Sequence, residues 1–483
     1  MSAPVLWGVV PFGVAFGLLL FRRWERQVNI VGAAVMLLLA GSIWIFPVDQ
    51  AVSFGPWSFR LEEMLEVFGR RFVIADADRG VFALIYFLAG IWFLGALAAR
   101  PGYLFVPLGM IVVVLWVGAL AVEPFLYAAL FLEIAVIISV PFLRPPGGVA
   151  GQGVLRYLTF QSLGMPFILF TGWMLGRVNP ELVNPEQLVL PTVLVGLGFA
   201  FLLAIFPFHT WLPMLAVEAH PYTAAFIFLM LPAVVSLFGI GFLSEFSWLR
   251  NSPSVFAILR GVGFLMTLTG GVWAAFDFSS QPRYLPKKAR HLGRILGYAA
   301  VRGTGLLLLT ISLGGIEGVT LFFALLLSHA VGYWLWALAL TYLREQHGTL
   351  DFPLLQGVGR KFPATAIALI MASFSVAGFP LLTGFPTHLL LLERLADTDL
   401  LGAFGVVVGG LGLLVAGLRT LAILVMSADE SPGVPFEETP SESRGRKIIL
   451  ISGTGILLTL GLFPQWFLPL IARLPLAFER LSP

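Results

Sequence analysis

The sequence predicts an all-α integral membrane protein of about fourteen transmembrane helices. Of its 483 residues, 58% are hydrophobic and only 11% are charged, and the mean hydropathy is +0.94. A soluble chain of this length needs far more polar residues to cover its core. Apolar runs of roughly 18 residues or more recur along the whole chain, as a bilayer-spanning helix requires.

The predicted helices follow the apolar runs in chain order. They cover residues 4–21, 28–47, 80–99, 102–121, 124–143, 157–176, 188–207, 222–242, 253–276, 294–313, 317–343, 362–396 (broken), 401–427 and 448–470. The first run lacks the basic residues that open a signal peptide, so we interpret it as a membrane helix. The connections are too short for a separate catalytic domain, which needs roughly 50 residues. Residues 1–483 therefore form a single polytopic membrane domain.

Composition excludes several classes of function. The formal net charge of +3 is too small to indicate a nucleic-acid partner. The chain has no cysteine, which excludes disulfides, thiol catalysis, thiolate zinc sites and cysteine-ligated iron–sulfur clusters. We expect no cofactor in this chain, and any redox centre belongs to a partner.

The distribution of Lys and Arg predicts the orientation in the membrane. Seventeen of the 29 basic residues fall on one side of the predicted helices and nine on the other. Because the richer side is usually cytoplasmic, we expect both termini on the outer side of the cell inner (plasma) membrane.

Two predicted helices carry interruptions that suggest an internal repeat. Proline and glycine interrupt the seventh segment and the twelfth segment, at Pro207, Pro213, Gly378, Pro380, Gly384 and Pro386. In hydrocarbon, a broken helix survives only inside protein or along a wet cavity. Breaks five helices apart indicate inverted five-helix repeats, helices 4–8 (101–243) and 9–13 (253–427). An N-terminal region of three helices (1–100) precedes them, and a C-terminal loop and last helix (428–483) follow. Ordinary proline kinks are the alternative.

One motif resembles a known family. The run Pro207-Phe208-His209-Thr210-Trp211-Leu212-Pro213, followed by Glu218-Ala219, is similar to the segment after broken helix seven in antiporter-like subunits. That family covers complex I, Mrp-type antiporters, membrane-bound hydrogenases and some inorganic-carbon uptake complexes. Weaker matches are Leu132-Glu133, Arg156-Tyr157-Leu158-Thr159-Phe160-Gln161, Gly297-Tyr298-Ala299-Ala300-Val301 and Ser328-His329. The resemblance covers nearly the whole chain and implies fourteen helices with two inverted repeats.

The sequence departs from this family at the positions of its membrane lysines. The lysine of helix seven falls near Leu202, and that of helix eight near Ala233 or Val234. The chain has only four lysines, Lys287, Lys288, Lys361 and Lys447, all in predicted cytoplasmic loops. Arginine cannot replace lysine as a proton carrier, because it stays protonated. Any proton transfer must therefore use carboxylate, imidazole and water.

Glu133 and His388 are the first candidates for a proton path. Glu133 is predicted near the membrane midplane, where a carboxylate is costly and usually functional. The alternative is a protonated Glu hydrogen-bonded to a neighbour. His388 falls where the family has a Lys or Glu on helix twelve, and imidazole titrates near neutrality. It could instead hydrogen-bond the broken backbone.

The remaining candidates are His329, His209 and Arg302. His329, next to Ser328, could link two half-channels through water or be a satisfied core residue. His209 follows the helix break and could cap freed carbonyls or take part in proton entry. Arg302 could pair with an acid, block cations as a fixed charge, or extend to the interface. The same interfacial explanation applies to Arg260 and Arg419.

Three functions remain open. The leading hypothesis is a membrane-arm subunit that transfers protons or cations in a larger energy-converting complex, such as an NADH:quinone oxidoreductase-type translocase. Such a subunit performs no covalent chemistry itself. The second is a non-pumping structural subunit, which the missing lysines favour. The third is a membrane partner of a soluble hydrase in carbon uptake. In each case the expected partners are other membrane subunits and the lipid bilayer.

Overall fold

The computed structural model of the chain describes residues 2–54, 57–144, 148, 150–175, 185–277, 291–426 and 442–481. These residues are mainly helical, which confirms the predicted all-α membrane class. Helices suit a bilayer because every internal backbone donor and acceptor is paired within the segment. The stretch of the 428–447 loop that carries Glu437 and Glu438 lies outside the described residues.

The helices of the N-terminal half follow the predicted segments closely. A π-helical turn, Val5–Val9, leads into α1 (Val10–Leu20). The helices that follow are α2 (Glu25–Ile45), α3 (Arg79–Ala99), α4 (Phe105–Ala121), α5 (Ala128–Leu143), α6 (Gln152–Leu175), α7 (Pro185–Leu202), α8 (Trp211–Glu218), α9 (Pro221–Glu245) and α10 (Ser247–Arg250).

The C-terminal half is helical in the same way. Its helices are α11 (Pro253–Phe276), α12 (Gly293–Ser312), α13 (Gly315–His347), α14 (Val358–Lys361), α15 (Pro363–Ala377), α16 (Gly384–Thr398), α17 (Leu400–Val425), α18 (Arg444–Leu462) and α19 (Leu468–Ile471). Lys447, predicted in a loop, lies in the first turn of α18. Glu442 precedes that helix and accepts a 2.9 Å hydrogen bond from the backbone N–H of Thr365, which satisfies a donor at the start of α15.

Among the described residues, ten helices are long and apolar enough to cross a membrane. Shorter apolar helices occur at Val5–Leu20, Phe105–Ala121, Leu188–Leu202 and Pro363–Ala377. The chain is therefore a multi-span membrane protein.

Short strands occupy the 48–79 connection, which the sequence analysis left without structure. Strand β1 (Ala51–Phe54) pairs antiparallel with β2 (Trp57–Arg60). Strands β3 (Met64–Val67), β4 (Arg70–Val73) and β5 (Val122–Glu123) form a second antiparallel sheet. The β3–β4 turn has positive φ at both Phe68 and Gly69, the backbone geometry of a tight hairpin. Strands this short carry too little apolar alternation to predict.

The chain forms two compact units. The first comprises residues 1–211, 230–255 and 472–483, and the second 212–229 and 256–471. In the first unit α2 packs on α3, α4 on α5 and α6 on α7. In the second unit α15 packs against α13, α17 and α18. Helix α12 is buried along its whole apolar length.

Both predicted helix breaks are present in the backbone. Helix α7 ends at Leu202, Ala204 has φ of +52°, and a 3-10 turn at Phe208–Thr210 precedes α8. Helix α15 ends at Ala377, Gly378 has φ of +90°, and α16 begins at Gly384. Pro207 and Pro380 lie within the breaks. Pro213 and Pro386 lie in the first turns of α8 and α16, where a missing backbone N–H costs nothing.

Candidate functional site

The break between α15 and α16 contains a buried arginine from α12. The Arg302 side chain has no solvent exposure, and it donates hydrogen bonds to the carbonyls of Val376 (2.8 Å) and Ala377 (3.3 Å). These carbonyls end α15 and would otherwise lack partners. A cation is also favoured there by the helix dipole. Arg302 takes part in none of the ion pairs found among the described residues.

The other two arginines predicted inside the membrane act in the same way. Arg260 donates to the carbonyl of Ser312, the last residue of α12 (3.4 Å). Arg419 donates to the carbonyl of Ala275, near the end of α11 (2.5 Å). Each arginine therefore satisfies the C-terminal end of a neighbouring helix, a role that the sequence analysis did not consider.

His388 lies on the first turns of α16 and faces the same break. Its Nδ1 is 2.6 Å from the carbonyl oxygen of Gly384. Because a carbonyl only accepts, Nδ1 carries the proton and Nε2 is left as the possible acceptor. Nε2 is buried and has no hydrogen-bond partner in the portion of the chain described. A Cβ added to Gly378 would be 2.9 Å from the His388 ring, so the ring needs glycine at that position.

His329 on α13 completes this group. Its ring centroid is 5.8 Å from that of His388 and 5.9 Å from that of Tyr333. Both His329 and Tyr333 pack against α12 at Gly303, one residue after Arg302. The Nε2 atom of His329 and the hydroxyl of Tyr333 are buried without hydrogen-bond partners among the residues described. We call Arg302, His329, Tyr333 and His388 the histidine cluster.

A second polar group lies at the start of α12 and was missed by the sequence analysis. Asp277 Oδ1 is 3.4 Å from Arg294 Nη2 and accepts a 3.4 Å hydrogen bond from the hydroxyl of Tyr298. The Asp277 side chain is only 9% exposed, and its Oδ2 has no partner within the described ranges. Burial raises the pKa of this carboxyl, while Arg294 and the Tyr298 hydrogen bond act in the opposite direction.

This polar group and the histidine cluster share one face of α12. Arg294, Tyr298 and Arg302 are spaced four residues apart, so their side chains follow one another along the helix. Each step rises about 6 Å. The spacing could have been noticed in the sequence, but Asp277 is on a different helix and only the fold brings it to this face.

In the first unit, Glu133 on α5 is held by α6. Ser162 donates a 2.6 Å hydrogen bond to Glu133 Oε1. The other carboxyl oxygen, Oε2, is buried and lacks a hydrogen-bond partner among described residues. The carboxyl is therefore oriented by one donor, and its second oxygen is available to a water or a proton.

Leu202, near which the family resemblance places a lysine, ends α7. The Leu202 side chain is buried and packs closely against Gly164 of α6. The carbonyl of Leu202 accepts a 3.2 Å hydrogen bond from the Gln161 side chain, also on α6. A neutral amide therefore satisfies the backbone carbonyl at the first break, whereas a guanidinium satisfies the backbone carbonyls at the second.

His209 lies in the first break, within the first unit. It is 6% exposed, and its ring stacks on Phe206 with centroids 5.5 Å apart. The structure thus brings Arg302, His329 and His388 together in the second unit, whereas Glu133 and His209 belong to the first unit.

The chemistry open to these groups is proton exchange. Glu133, Asp277 and the histidines are the titratable groups, while Arg302 is a permanent charge. No group of three or more His, Asp or Glu suited to a metal ion is found in the described ranges.

Comparisons with known proteins agree with this architecture. Residues 173–413 match the family model described as NADH:quinone oxidoreductase/Mrp antiporter, TM. NADH-quinone oxidoreductase subunit 13 of Thermus thermophilus is 26% identical, over 97% of both chains. A chain of the archaeal membrane-bound sulfane sulfur reductase has a TM-score of 0.79 at 17% identity, covering 99% of this chain and 98% of that one. A chain of the Mrp complex from Dietzia sp. DQ12-45-1b has a TM-score of 0.78 at 19% identity, covering 99% and 97%.

Proposed function

Because this chain belongs to the family of antiporter-like membrane subunits of NADH:quinone oxidoreductases and Mrp antiporters, we propose that it transfers protons within a larger energy-converting membrane complex. Its relatives carry the names of such subunits. The driving reaction, redox or ion exchange, takes place in partner subunits, and this chain makes and breaks no covalent bonds other than those to protons.

The histidine cluster carries this proposal. Two imidazoles lie 5.8 Å apart at a helix break, fully inside the protein, and each has an unused Nε2. One bridging water could connect two such nitrogens. Buried polar groups without partners cost free energy, and ionisable groups inside a membrane protein usually mark a functional site.

The cluster would work as a gated relay. His388 holds its Nδ1 proton on the Gly384 carbonyl, so a second proton arriving at Nε2 makes it a cation. Arg302 is close enough to repel that charge. Protonation would therefore be brief, and the proton would pass on to His329 or back. This replaces lysine–glutamate coupling with a histidine pair opposed by a fixed cation.

Asp277 is the proposed entry to this relay. It lies at the end of α12 that the charge bias assigns to the cytoplasm, and Tyr298 lies between it and Arg302 on the helix face. Glu133, oriented by Ser162, would serve as the carrier in the first unit.

The finer architecture belongs to the same proposal. The two breaks support two inverted five-helix repeats within about fourteen membrane helices. The bias of Lys and Arg supports termini on the outer side of the plasma membrane.

A non-pumping structural role is the second candidate. Leu202 fills the position of the helix-seven lysine with tight apolar packing. A permanent charge at Arg302 also opposes the entry of any cation. In that case the histidines only satisfy the broken backbone.

Proton uptake by inverted membrane vesicles that contain the whole complex separates the two functions. Under the pumping proposal, His388→Gln lowers the initial rate on the order of a hundredfold, while the complex still assembles. His347→Gln, at the end of α13, is the matched control and should pump normally. Wild-type rates in His388→Gln, His329→Gln and Glu133→Gln alike would establish the structural role instead.

A further inference from the structure

A cavity of about 850 Å³ opens in the first unit, and none of the candidate site residues lines it. This volume is in the range of small-molecule pockets, roughly 300–1,000 Å³. Its walls come from the beginning of α3, the segment that leads into α5, and the ends of α4, α6 and α9. The cavity therefore lies where several membrane helices begin or end, at the depth of lipid headgroups.

The inner wall is aromatic. Phe125 makes edge-to-face contacts with Phe242 and Phe246, at centroid distances of 4.6 and 5.4 Å. Phe242 and Phe246 are themselves 4.6 Å apart. Further apolar walls come from Leu126, Leu175, Leu237, Phe238, Leu476 and Phe478. Such a wall suits an alkyl chain.

The rim carries charges of both signs. Arg71 on β4 and Glu123 on β5 form a loose 3.9 Å pair, with 61% and 51% of their side chains exposed. Arg480 lies close enough to Glu245 for the two charges to attract each other, and Asp78 adds a third carboxylate. A guanidinium binds phosphate through paired hydrogen bonds. The carboxylates bind an ammonium group and disfavour a headgroup that is only anionic.

We propose that this cavity binds one zwitterionic glycerophospholipid with a primary ammonium group, of the phosphatidylethanolamine class. One acyl chain lies among the phenylalanine rings. The phosphate faces Arg71 and Arg480, and the ammonium faces the rim carboxylates. The lipid would fill the space between the helix ends and the β3–β4–β5 sheet. This binding does not depend on whether the subunit pumps.

Gly241 permits a direct test. It lines the cavity from α9, and a Cβ built on it meets no atom within 4 Å. Gly241→Leu should place a side chain inside the cavity and narrow it without disturbing the helix, since leucine is the better helix former. The matched control is Gly261→Leu on α11, where a Cβ also meets no atom within 4 Å and which does not line the cavity.

The assay measures retained lipid. The complex is delipidated in mild detergent, incubated with equal amounts of phosphatidylethanolamine, phosphatidylglycerol and phosphatidylcholine, and purified again, and its lipids are counted by mass spectrometry. Wild type and Gly261→Leu should retain about one phosphatidylethanolamine per chain. Gly241→Leu should retain about tenfold less, and the double variant Arg71→Gln/Arg480→Gln should lose several-fold.

Two results would overturn the proposal. One is equal retention of phosphatidylethanolamine by wild type and Gly241→Leu when both are folded, judged by equal assembly into the complex. The other is retention by wild type of phosphatidylglycerol or phosphatidylcholine in preference to phosphatidylethanolamine, which would contradict the charge pattern of the rim.

Discussion

Arg302 donates a 2.8 Å hydrogen bond to the carbonyl oxygen of Val376, joining the middle of α12 to the end of the broken helix α15. The two residues are 74 positions apart in the chain. This contact explains how a charged side chain with no solvent exposure is retained in a membrane protein. The guanidinium satisfies backbone groups that hydrocarbon could not satisfy.

Removing this donor should destabilise the protein. Arg302→Met leaves two carbonyls unsatisfied and should lower the free energy of unfolding by about 1–3 kcal/mol. Arg302→Gln keeps one donor without the charge and should lose less. Thermal unfolding in detergent measures both. Arg23→Met, at an exposed arginine in the turn after α1, is the control and should change little. If Arg302→Met unfolds like wild type, capping is not the contribution of this residue.

Glu133→Gln should abolish proton transfer while assembly persists. Glutamine can still accept the Ser162 hydrogen bond but cannot ionise. Proton translocation by the reconstituted complex is the measurement. Glu317→Gln, at an exposed carboxylate paired with Arg394 at 3.5 Å, should translocate normally. Normal translocation by Glu133→Gln would end the proposed role of this carboxyl.

Asp277→Asn should slow proton uptake from the side that carries this residue by about tenfold or more. Burial raises the pKa of Asp277 above its usual 3.8, so the carboxyl exchanges protons at a higher pH than an exposed aspartate. The rate–pH profile of wild type should therefore contain a step that the variant lacks. Asp397→Asn, at an exposed residue near the end of α16, should retain the wild-type profile. Identical profiles for all three proteins would contradict entry at Asp277 and leave the histidine relay intact.

Gly378→Ala should disturb the second break. The position has φ of +90°, and a Cβ there would lie 2.9 Å from the His388 ring. Backbone strain of this kind costs about 1–3 kcal/mol. A lower unfolding midpoint together with slower proton transfer is expected. Gly41→Ala in α2, where a Cβ meets no atom within 4 Å, should be neutral or slightly stabilising.

Acid should destabilise the segments that directly precede α9 and α12. Burial lowers the pKa of His220 to about 4, with Arg344 acting in the same direction. Burial also lowers the pKa of His291 to about 4, against the attraction of Asp351. Each ring must stay neutral because its Nδ1 accepts a backbone N–H, from Tyr222 at 3.3 Å and from Gly293 at 3.1 Å.

Because the pKa of each histidine is lower in the folded chain than in the unfolded chain, protonation favours unfolding. The stabilisation is complete above the unfolded pKa near 6.5 and is lost as the pH falls toward 4. The loss is on the order of 3 kcal/mol for each residue. Unfolding midpoints at pH 7.5 and pH 5 should therefore differ less in the double variant His220→Gln/His291→Gln than in wild type. An equal acid loss in both proteins would contradict this assignment.

The sequence alone determined the class of the protein and the positions of its helices. Apolar runs identify bilayer-spanning segments directly, because such a segment can carry few or no charged side chains. The interruptions near Pro207 and Pro380 could also be predicted from the sequence, since proline and glycine break a helix through their effect on the local backbone. The family motif at Pro207–Pro213 is local as well, and it located the first break without any knowledge of packing.

Only the tertiary structure decided which polar groups meet. Arg302 was identified as a candidate, but its partners at the end of α15 come from a different helix. Asp277 was not identified as a candidate, because the residues that it contacts, Tyr298 and Arg294, lie on a different helix. The β strands and the aromatic cavity likewise arise from segments distant in the chain. Helix formation is a local property of the chain, whereas the pairing of buried charges and donors depends on which helices the fold places side by side.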